Sequence, residues 1–398
     1  MKTEYLIVGS GLTGAVIART LTDAGAKVLV LDRRSHLGGN VHDHTHSSGI
    51  RVHTYGPHYF RTNSDQLWDF VNRFADFYKY EACLKSMVDG RLENWPIAES
   101  YIRQHLGENW EPGFRGQAEN FEEASLKIMP SFIYKKFVRG YTEKQWGVSC
   151  TRLSADLAKR FDVRDDDEPR LKTQKYQGIP VRGYSDLMSN MLKGIPTLLN
   201  CDFLKQREQF TYSKKLVFTG PIDEYFDFDL GRLIYRGQQR THEYLPDQKW
   251  FQPCGQVNNP CPSNGPHIRT LEWKHMMEPR VANRIRGTLL TREVTVTPTD
   301  PGDFEYPFPD SANATLYQKY RARANKLKDV LICGRLGEYR YFDMDQAIAR
   351  AQKLASGLLE QSIVPRPKHL GRFRETRESA EAGASRAARN ADSQAMND

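Results

Sequence analysis

Three glycines spaced as in Gly9-Ser-Gly11-Leu-Thr-Gly14 do a particular kind of chemistry when a strand leads in and a helix leads out. The first permits a tight turn. The second lets backbone N–H groups reach a pyrophosphate with no Cβ in the way, and the third lets the helix pack close to the strand. The partial positive charge at the helix N-terminus then faces the phosphates. Asp32 ends the next apolar run and suits hydrogen bonding from a ribose 2′-OH, which disfavours a 2′-phosphate. A second glycine pair follows in Arg33-Arg-Ser-His-Leu-Gly38-Gly39-Asn40. A nicotinamide site has no need of it, whereas a second close backbone approach suits extended FAD. The expected cofactor is FAD rather than NAD.

The elements that must position these residues are legible nearby. Tyr5-Leu-Ile-Val8 reads as a buried strand, Val16, Ile17 and Leu21 fall at helical spacing, and Lys27 to Leu31 reads as a second strand. Leu67, Phe70, Val71 and Phe74 predict a helix within 64–77. From Glu99 to Arg160 helical patterns dominate, clearest from Phe121 to Val138, and Asp165-Asp-Asp-Glu168 reads as a surface loop or flap. Strand signals return after Thr197, notably Lys215 to Phe218, Glu293 to Val296 and Asp329 to Cys333, and a helix follows from about Asp345 to Leu359. The pattern predicts an α/β protein: a Rossmann-type FAD-binding domain with a helical insertion and a mostly antiparallel β-sheet domain. The expected FAD-binding domain is discontinuous, at 1–76, 185–222 and 326–362. The helical part is 77–184 with a mobile flap at about 147–172, the substrate sheet is 223–325, and 363–398 is a disordered tail too poor in large apolar groups to offset ordering.

Composition narrows the classes. At 398 residues the chain can hold two or three domains with sizeable cores. Mean hydropathy of −0.65 and the lack of an eighteen-residue apolar run exclude a spanning helix. The first strand starts at Glu4, leaving no room for a signal peptide, so a cytoplasmic protein is expected. Six scattered cysteines show no metal spacing and read as ordinary thiols. The C-terminal segment contributes to the formal charge of +8, no recognised nucleic-acid motif accompanies it, and part of the charge is read as serving anionic ligands. His42-Asp-His44-Thr-His46 alternates on one strand face, but no second ligand cluster accompanies it; a solvated hairpin is expected and no metal.

Three aromatic and arginine-rich segments remain: Gly49 to Phe60 with Tyr55-Gly-Pro-His58, Gly140-Tyr141-Thr-Glu-Lys144-Gln-Trp146-Gly147, and Gly334-Arg335-Leu-Gly-Glu-Tyr339-Arg-Tyr341-Phe-Asp343-Met344-Asp345. With Gly231-Arg-Leu233, Tyr235-Arg236 and Tyr176 to Pro180, they give a chain that closely resembles the flavin-dependent UDP-galactopyranose mutases over roughly residues 1 to 360. The resemblance implies FAD that is active when reduced. Its N5 attacks the anomeric carbon of a UDP-sugar and displaces UDP, an iminium adduct lets the ring open, and closure through another hydroxyl gives the furanose with no net redox change. It also implies an external reductant such as NAD(P)H and a homodimer.

Residue roles carry over by position. Arg160, fourteen residues after Trp146, matches the mobile-loop arginine, and Arg269 matches a second; together they would clamp a diphosphate. Tyr141 and Trp146 would hold uridine, with Asn258 and Phe137 beside them, and Tyr306 and Tyr341 would donate to phosphate oxygens. His58 would approach the flavin. Gly9, Gly11, Gly14, Asp32, Arg33, Gly39, Asn40, Arg335, Asp343 and Met344 would contact FAD. The chain also departs from the family. Where the usual run is G-P-H-I-F-H-T, Arg61 follows Phe60; P-Y-x-N-R-V has become Lys79-Tyr-Glu-Ala82-Cys83-Leu84; the flap tyrosine of D-D-x-Y-F is missing near Leu171; and L-P-I-N has become Trp95-Pro-Ile-Ala98. These changes point to a modified hexose (N-acetylated, deoxy or acidic) on UDP or another nucleotide, with an extra polar or anionic group near Arg61. The plainer alternative pairs Arg61 with Asp65. An amine-oxidase-type oxidoreductase and a non-catalytic FAD protein stay open as rival functions.

Overall fold

The computed structural model describes residues 2–161, 163, 164 and 166–363. The expected tail lies outside them from residue 364 onward, as do Asp162 and Asp165. The first apolar runs form the centre of a five-stranded parallel sheet. Its order is Thr197–Leu198, Val28–Leu31, Lys2–Val8, Thr211–Phe218 and Val330–Ile332. Side chains alternate between its faces, as a strand requires. Tyr5, Ile7, Val28, Val30 and Val217 meet the helices Leu12–Asp23, Tyr184–Met191 and Met344–Ile363 on one side. Leu6, Leu29, Leu31, Leu216 and Phe218 bury against Ile222, Leu233, Tyr235 and the helix Ser311–Ala324 on the other. That last helix falls within the stretch expected to be sheet. It uses Tyr320 and Ala324 to cover the parallel sheet, so it belongs with that layer.

A second, seven-stranded sheet runs in the order Tyr306–Pro307, Tyr235–Leu245, Thr288–Val296, Arg269–Glu272, Gln256–Asn258, Leu84–Val88 and Arg91–Trp95. It is antiparallel except where Gln256–Asn258 lies parallel to Leu84–Val88. The stretch 77–184 is therefore not wholly helical: its first part is a hairpin that extends this sheet. Asp89 and Gly90, both at positive φ, make the hairpin's two-residue turn. A small third sheet joins Phe60–Thr62, Tyr176–Pro180 and Phe77–Lys79.

The helical part lies over one end of the second sheet. Phe121–Leu126 stops before Pro130, and Ser131–Ile133 runs through a π-helical stretch, Tyr134–Arg139, into Gly140–Trp146. π-helical turns shift the side-chain register and frequently mark functional positions. Here the turn delivers Phe137 and Tyr141 to the same cavity. Gly140 is required by proximity: a Cβ there would stand 2.1 Å from the Pro260 carbonyl oxygen. The histidine run forms the expected hairpin, Asp43–Thr45 against Arg51–His53. All six cysteines are free thiols. Among the described residues no helix is long and apolar enough to cross a membrane.

Candidate active site

The end of the first strand runs directly into the glycine loop. Gly9 sits at φ +105°, and a Cβ there would be 2.0 Å from Thr219 Oγ1; a Cβ on Gly14 would be 1.9 Å from the Gly9 carbonyl oxygen. Both positions therefore need glycine for the strand, turn and helix to pack. Gly11 differs. Its nearest protein neighbour would be 3.8 Å from an added Cβ, and its backbone is extended. The space above it belongs to a chamber of about 1080 Å³, its open mouth included, lined by Gly9, Gly11, Asp32, Arg34, Gly39, Asn40, Thr219, Gly220, Arg335 and Met344 among others. This glycine-floored cradle fits the pyrophosphate of a dinucleotide, and Gly39 and Asn40 of the second glycine segment line the same chamber.

Two polar residues of the cradle do work within the protein. Both oxygens of Asp32 take bonds from its own loops: Oδ2 accepts from Ser10 N and Oγ at 2.7 and 2.6 Å, and Oδ1 accepts from Arg34 N at 2.9 Å. The carboxylate thus ties the glycine loop to the end of the second strand while still lining the chamber. Arg33, expected to contact the cofactor, lines the chamber while its two terminal nitrogens bond Glu224 at 2.9 Å each. Its neighbour Arg34 stands beside it on the wall. It lies over the Tyr55 ring at 4.4 Å and donates to Asn40 Oδ1 at 2.9 Å.

A second chamber, of about 1250 Å³ with its mouth, opens beside the first. Asn40, His58, Arg335, Phe342 and Met344 line both, so the two meet there. Asp343 lies on the second side of that junction, just before the helix Met344–Ile363, whose first residue lines both chambers. His58 donates from Nδ1 to the Gly56 carbonyl at 2.7 Å, which leaves Nε2 with its lone pair. Burial, reinforced by His53 and Arg335, holds its pKa well below the ordinary histidine value, so His58 is neutral. Arg335 donates to the Phe342 carbonyl at 2.9 Å and lies over the rings of Tyr341 and Tyr306 at 4.9 and 5.9 Å.

Of the residues expected to bind substrate, Tyr141, Asn258, Arg269, Tyr306, Tyr341, Arg61 and Phe137 all line the second chamber. Asn258 and Arg269 are cross-strand partners in the large sheet, which sets them side by side. Arg269 is held through Nε by Glu293, a fully buried carboxylate that also accepts from Arg240 Nε at 2.9 Å. Arg240 in turn forks onto Glu305 at 2.9 and 3.0 Å. Two arginines and two glutamates thus balance in charge. Burial alone would raise the pKa of Glu293, but Arg269 and Arg240 outweigh it and hold the carboxyl below its usual range. Burial raises Tyr306 well above the ordinary tyrosine value, so its hydroxyl stays a donor. Glu293 and Arg240 were not among the sequence candidates. Their only mark in the sequence is a charge at an inward position of a strand.

Two placements correct the sequence reading. Trp146, expected to offer its indole face to a base, is buried and meets Phe308 edge-on at 5.8 Å. It ends its helix at Gly147, and the apolar core of the helical part takes the ring. Arg61 does not pair with Asp65, whose carboxylate takes Lys175 at 2.6 Å and Tyr176 at 2.8 Å. Arg61 pairs instead with Asp343 at 3.0 Å, so its charge is already matched at the chamber junction. The backbone of Arg160 ends the short helix Ala155–Arg160; its side chain lies outside the described residues. The Lys144 ammonium, in the same block as Tyr141, ties Asn259 and Cys261 carbonyls at 3.0 and 2.8 Å and so braces the loop after Asn258.

A parallel-sheet nucleotide cradle that opens into an arginine- and tyrosine-lined chamber defines a Rossmann-type enzyme of nucleotide-containing substrates. Comparison with known proteins narrows this. The sequence profile for UDP-galactopyranose mutase matches residues 136–341, and one for NAD(P)-binding Rossmann-like domains matches residues 7–74. The chain is 32% identical over 372 residues to a probable UDP-galactopyranose mutase of Klebsiella pneumoniae, covering 89% of this chain and 94% of that one. It is 31% identical over 376 residues to the dTDP-fucopyranose mutase of Escherichia coli, covering 88% and 97%. The fold matches a crystal structure of reduced UDP-galactopyranose mutase with a TM-score of 0.68 at 16% identity, over 90% of this chain and 96% of that one. A redesigned putrescine oxidase shares the fold at a TM-score of 0.56 and 11% identity, over 90% of this chain and 99% of the oxidase. This chain belongs to the UDP-galactopyranose mutase family, and its enzymatic class is that of a mutase, an isomerase.

Proposed function

We propose that this enzyme interconverts the pyranose and furanose forms of a nucleotide-diphosphate hexose, with FAD in the first chamber and the nucleotide sugar in the second. The observation that carries the reading is the meeting of the chambers at His58, Arg335 and Met344, with the Arg269 fork across the second chamber. Bound and reduced, the flavin supplies an electron-rich nitrogen nucleophile. An external hydride donor such as NAD(P)H reduces it.

The chain's own residues bind and orient. Arg269, aimed by Glu293, offers its Nη groups to the diphosphate. Tyr306 and Tyr341 add hydroxyl donors, and Tyr141 and Asn258 border the nucleoside side. Neutral His58 adds no charge beside Arg335 at the junction and presents Nε2 there. The helix N-terminus at Met344 favours negative charge that develops beside it. Purified protein should be yellow and release stoichiometric FAD on denaturation. A colourless protein that cannot be reconstituted with FAD would remove this reading.

A second reading concerns the sugar. Because Asp343 already matches the Arg61 charge, an acidic hexose has no unpaired cation to meet there. Leu84 and Leu171 line the same chamber, and Leu171 lies near where the family's flap tyrosine is missing. A deoxyhexose suits such a wall better than galactose, in keeping with the likeness to a dTDP-fucopyranose mutase. Specificity constants for UDP-galactose and dTDP-fucose, measured side by side, decide between them; a clear preference for UDP-galactose sinks the deoxy reading.

A further inference from the structure

The second chamber is closed on one side by Phe161 and Leu171, which flank the charge-dense segment. That segment is stitched to the hairpin of the large sheet at both ends. Val163 bridges Ile97, and the Arg164 N–H donates to the Ile97 carbonyl at 3.2 Å. The Arg164 side chain donates to the carbonyls of Glu168 and Leu171 at 2.9 and 3.1 Å. At the other end Arg170 bridges Cys83, and the Leu171 N–H donates to the Ala82 carbonyl at 2.7 Å. The Arg170 guanidinium spans the joint. Nε and Nη2 bond the two oxygens of Glu168 at 2.8 and 2.6 Å, while Nη1 bonds Glu81 Oε1 at 2.8 Å. Lys79 pairs with the other Glu81 oxygen at 3.0 Å.

We propose that Arg170 is a positioning residue for the substrate chamber. Gripped between Glu168 of its own segment and Glu81 of the sheet's lead-in, it seats Leu171 on the chamber wall. The inference rests on the assignment of that chamber to the nucleotide sugar. Partly exposed ion pairs add little to global stability. They do set how often a locally held segment opens, because such segments exchange through small local openings rather than through global unfolding. When the fork is lost, the segment leaves the wall more often, and a ligand must bind the smaller population that is in place. The cost appears in binding and not in the chemical step.

The test compares FAD-loaded wild type with Arg170→Met, Arg170→Lys, Glu81→Gln and the double variant Arg170→Met with Glu81→Gln. Hydrogen exchange across 163–172, titration with UDP, and steady-state kinetics are read together. Arg170→Met should speed exchange at the Leu171 amide and raise both KM and the UDP Kd measurably, by at most about fivefold, the limit set by one partly exposed charged pair. Its kcat, melting temperature and FAD content should match wild type. Glu81→Gln should move the same readouts less, the double variant should be no worse than Arg170→Met, and Arg170→Lys should recover part of the loss. Unchanged exchange at Leu171, a fall in kcat at constant KM, or a matching fall in melting temperature would each overturn the proposal. If wild type turns over no nucleotide sugar, the functional reading fails, and exchange with UDP titration still decides whether Arg170 seats Leu171.

Discussion

Arg269 reaches the second chamber on terms set by Glu293, because the buried carboxylate fixes Nε, while Nη1 is held only by a long 3.5 Å bond to Gln256 that a ligand can displace. Arg269→Ala should cut turnover a hundredfold or more, since each hydrogen bond to a charged group contributes about 1.5–3 kcal/mol and two are lost. FAD content should stay normal, and near-wild-type kinetics would remove Arg269 from the diphosphate site. Trp146 sets the opposite expectation. As a buried ring against Phe308, Trp146→Ala should lower stability by about 3–5 kcal/mol. Trp146→Phe should retain UDP affinity within about twofold, which titration checks against the stacking role read from the sequence. Most of the site was legible because the block Gly140 to Gly147 and the block Gly334 to Asp345 carry distinctive spacing. What a side chain faces was not. Trp146 had a plausible ligand role in sequence, and only packing shows its ring committed to the helical core. Glu293 was invisible for the converse reason, since one acid in a strand does not announce which arginine it will meet.

At the level of elements, the glycine loop separates fold from ligand. Gly14→Ala puts a Cβ 1.9 Å from a backbone oxygen that cannot give way, so the variant should fail to fold or lose its FAD outright. Gly11→Ala meets nothing closer than 3.8 Å in the protein and has an allowed backbone, so it should fold with a near-normal melting temperature yet bind FAD at least tenfold more weakly. If Gly11→Ala keeps wild-type FAD affinity, the pyrophosphate does not lie over Gly11. The first βαβ unit could be read directly because apolar strands, glycine turn and helix agree at every level. The hairpin Leu84–Trp95 was missed although Asp89-Gly90 is a strong turn signal, because Leu84-Lys-Ser-Met-Val88 alternates only weakly in hydrophobicity. The helix Ser311–Ala324 hid its layer for a similar reason: few of its side chains are buried, and Tyr320 and Ala324 make the contact.

The molecule as a whole carries neutral histidines next to its chambers, and this gives it a pH signature. Burial, reinforced by the stacked His36, depresses His42 to about 4, and burial likewise depresses His53 below the ordinary 6.5. The unfolded chain therefore binds more protons than the folded one below that ordinary value. Stability is fully present above about pH 6.5 and is lost as pH falls toward 4. Melting temperatures between pH 7 and 4.5 should drop accordingly, and His42→Gln should flatten the slope; an unchanged slope would contradict the neutral assignment. The parallel sheet, the large antiparallel sheet and the helical part all serve to bring two chambers together at one junction, and that convergence is the central claim. It is tested most directly by incubating FAD-replete, dithionite-reduced protein with a panel that includes UDP-galactose and dTDP-fucose and separating the products by chromatography. A new furanose peak from at least one nucleotide sugar, absent when the enzyme is kept oxidised, is the predicted result. Equal rates in the two redox states, or no interconversion of any nucleotide sugar by the reduced enzyme, would contradict it.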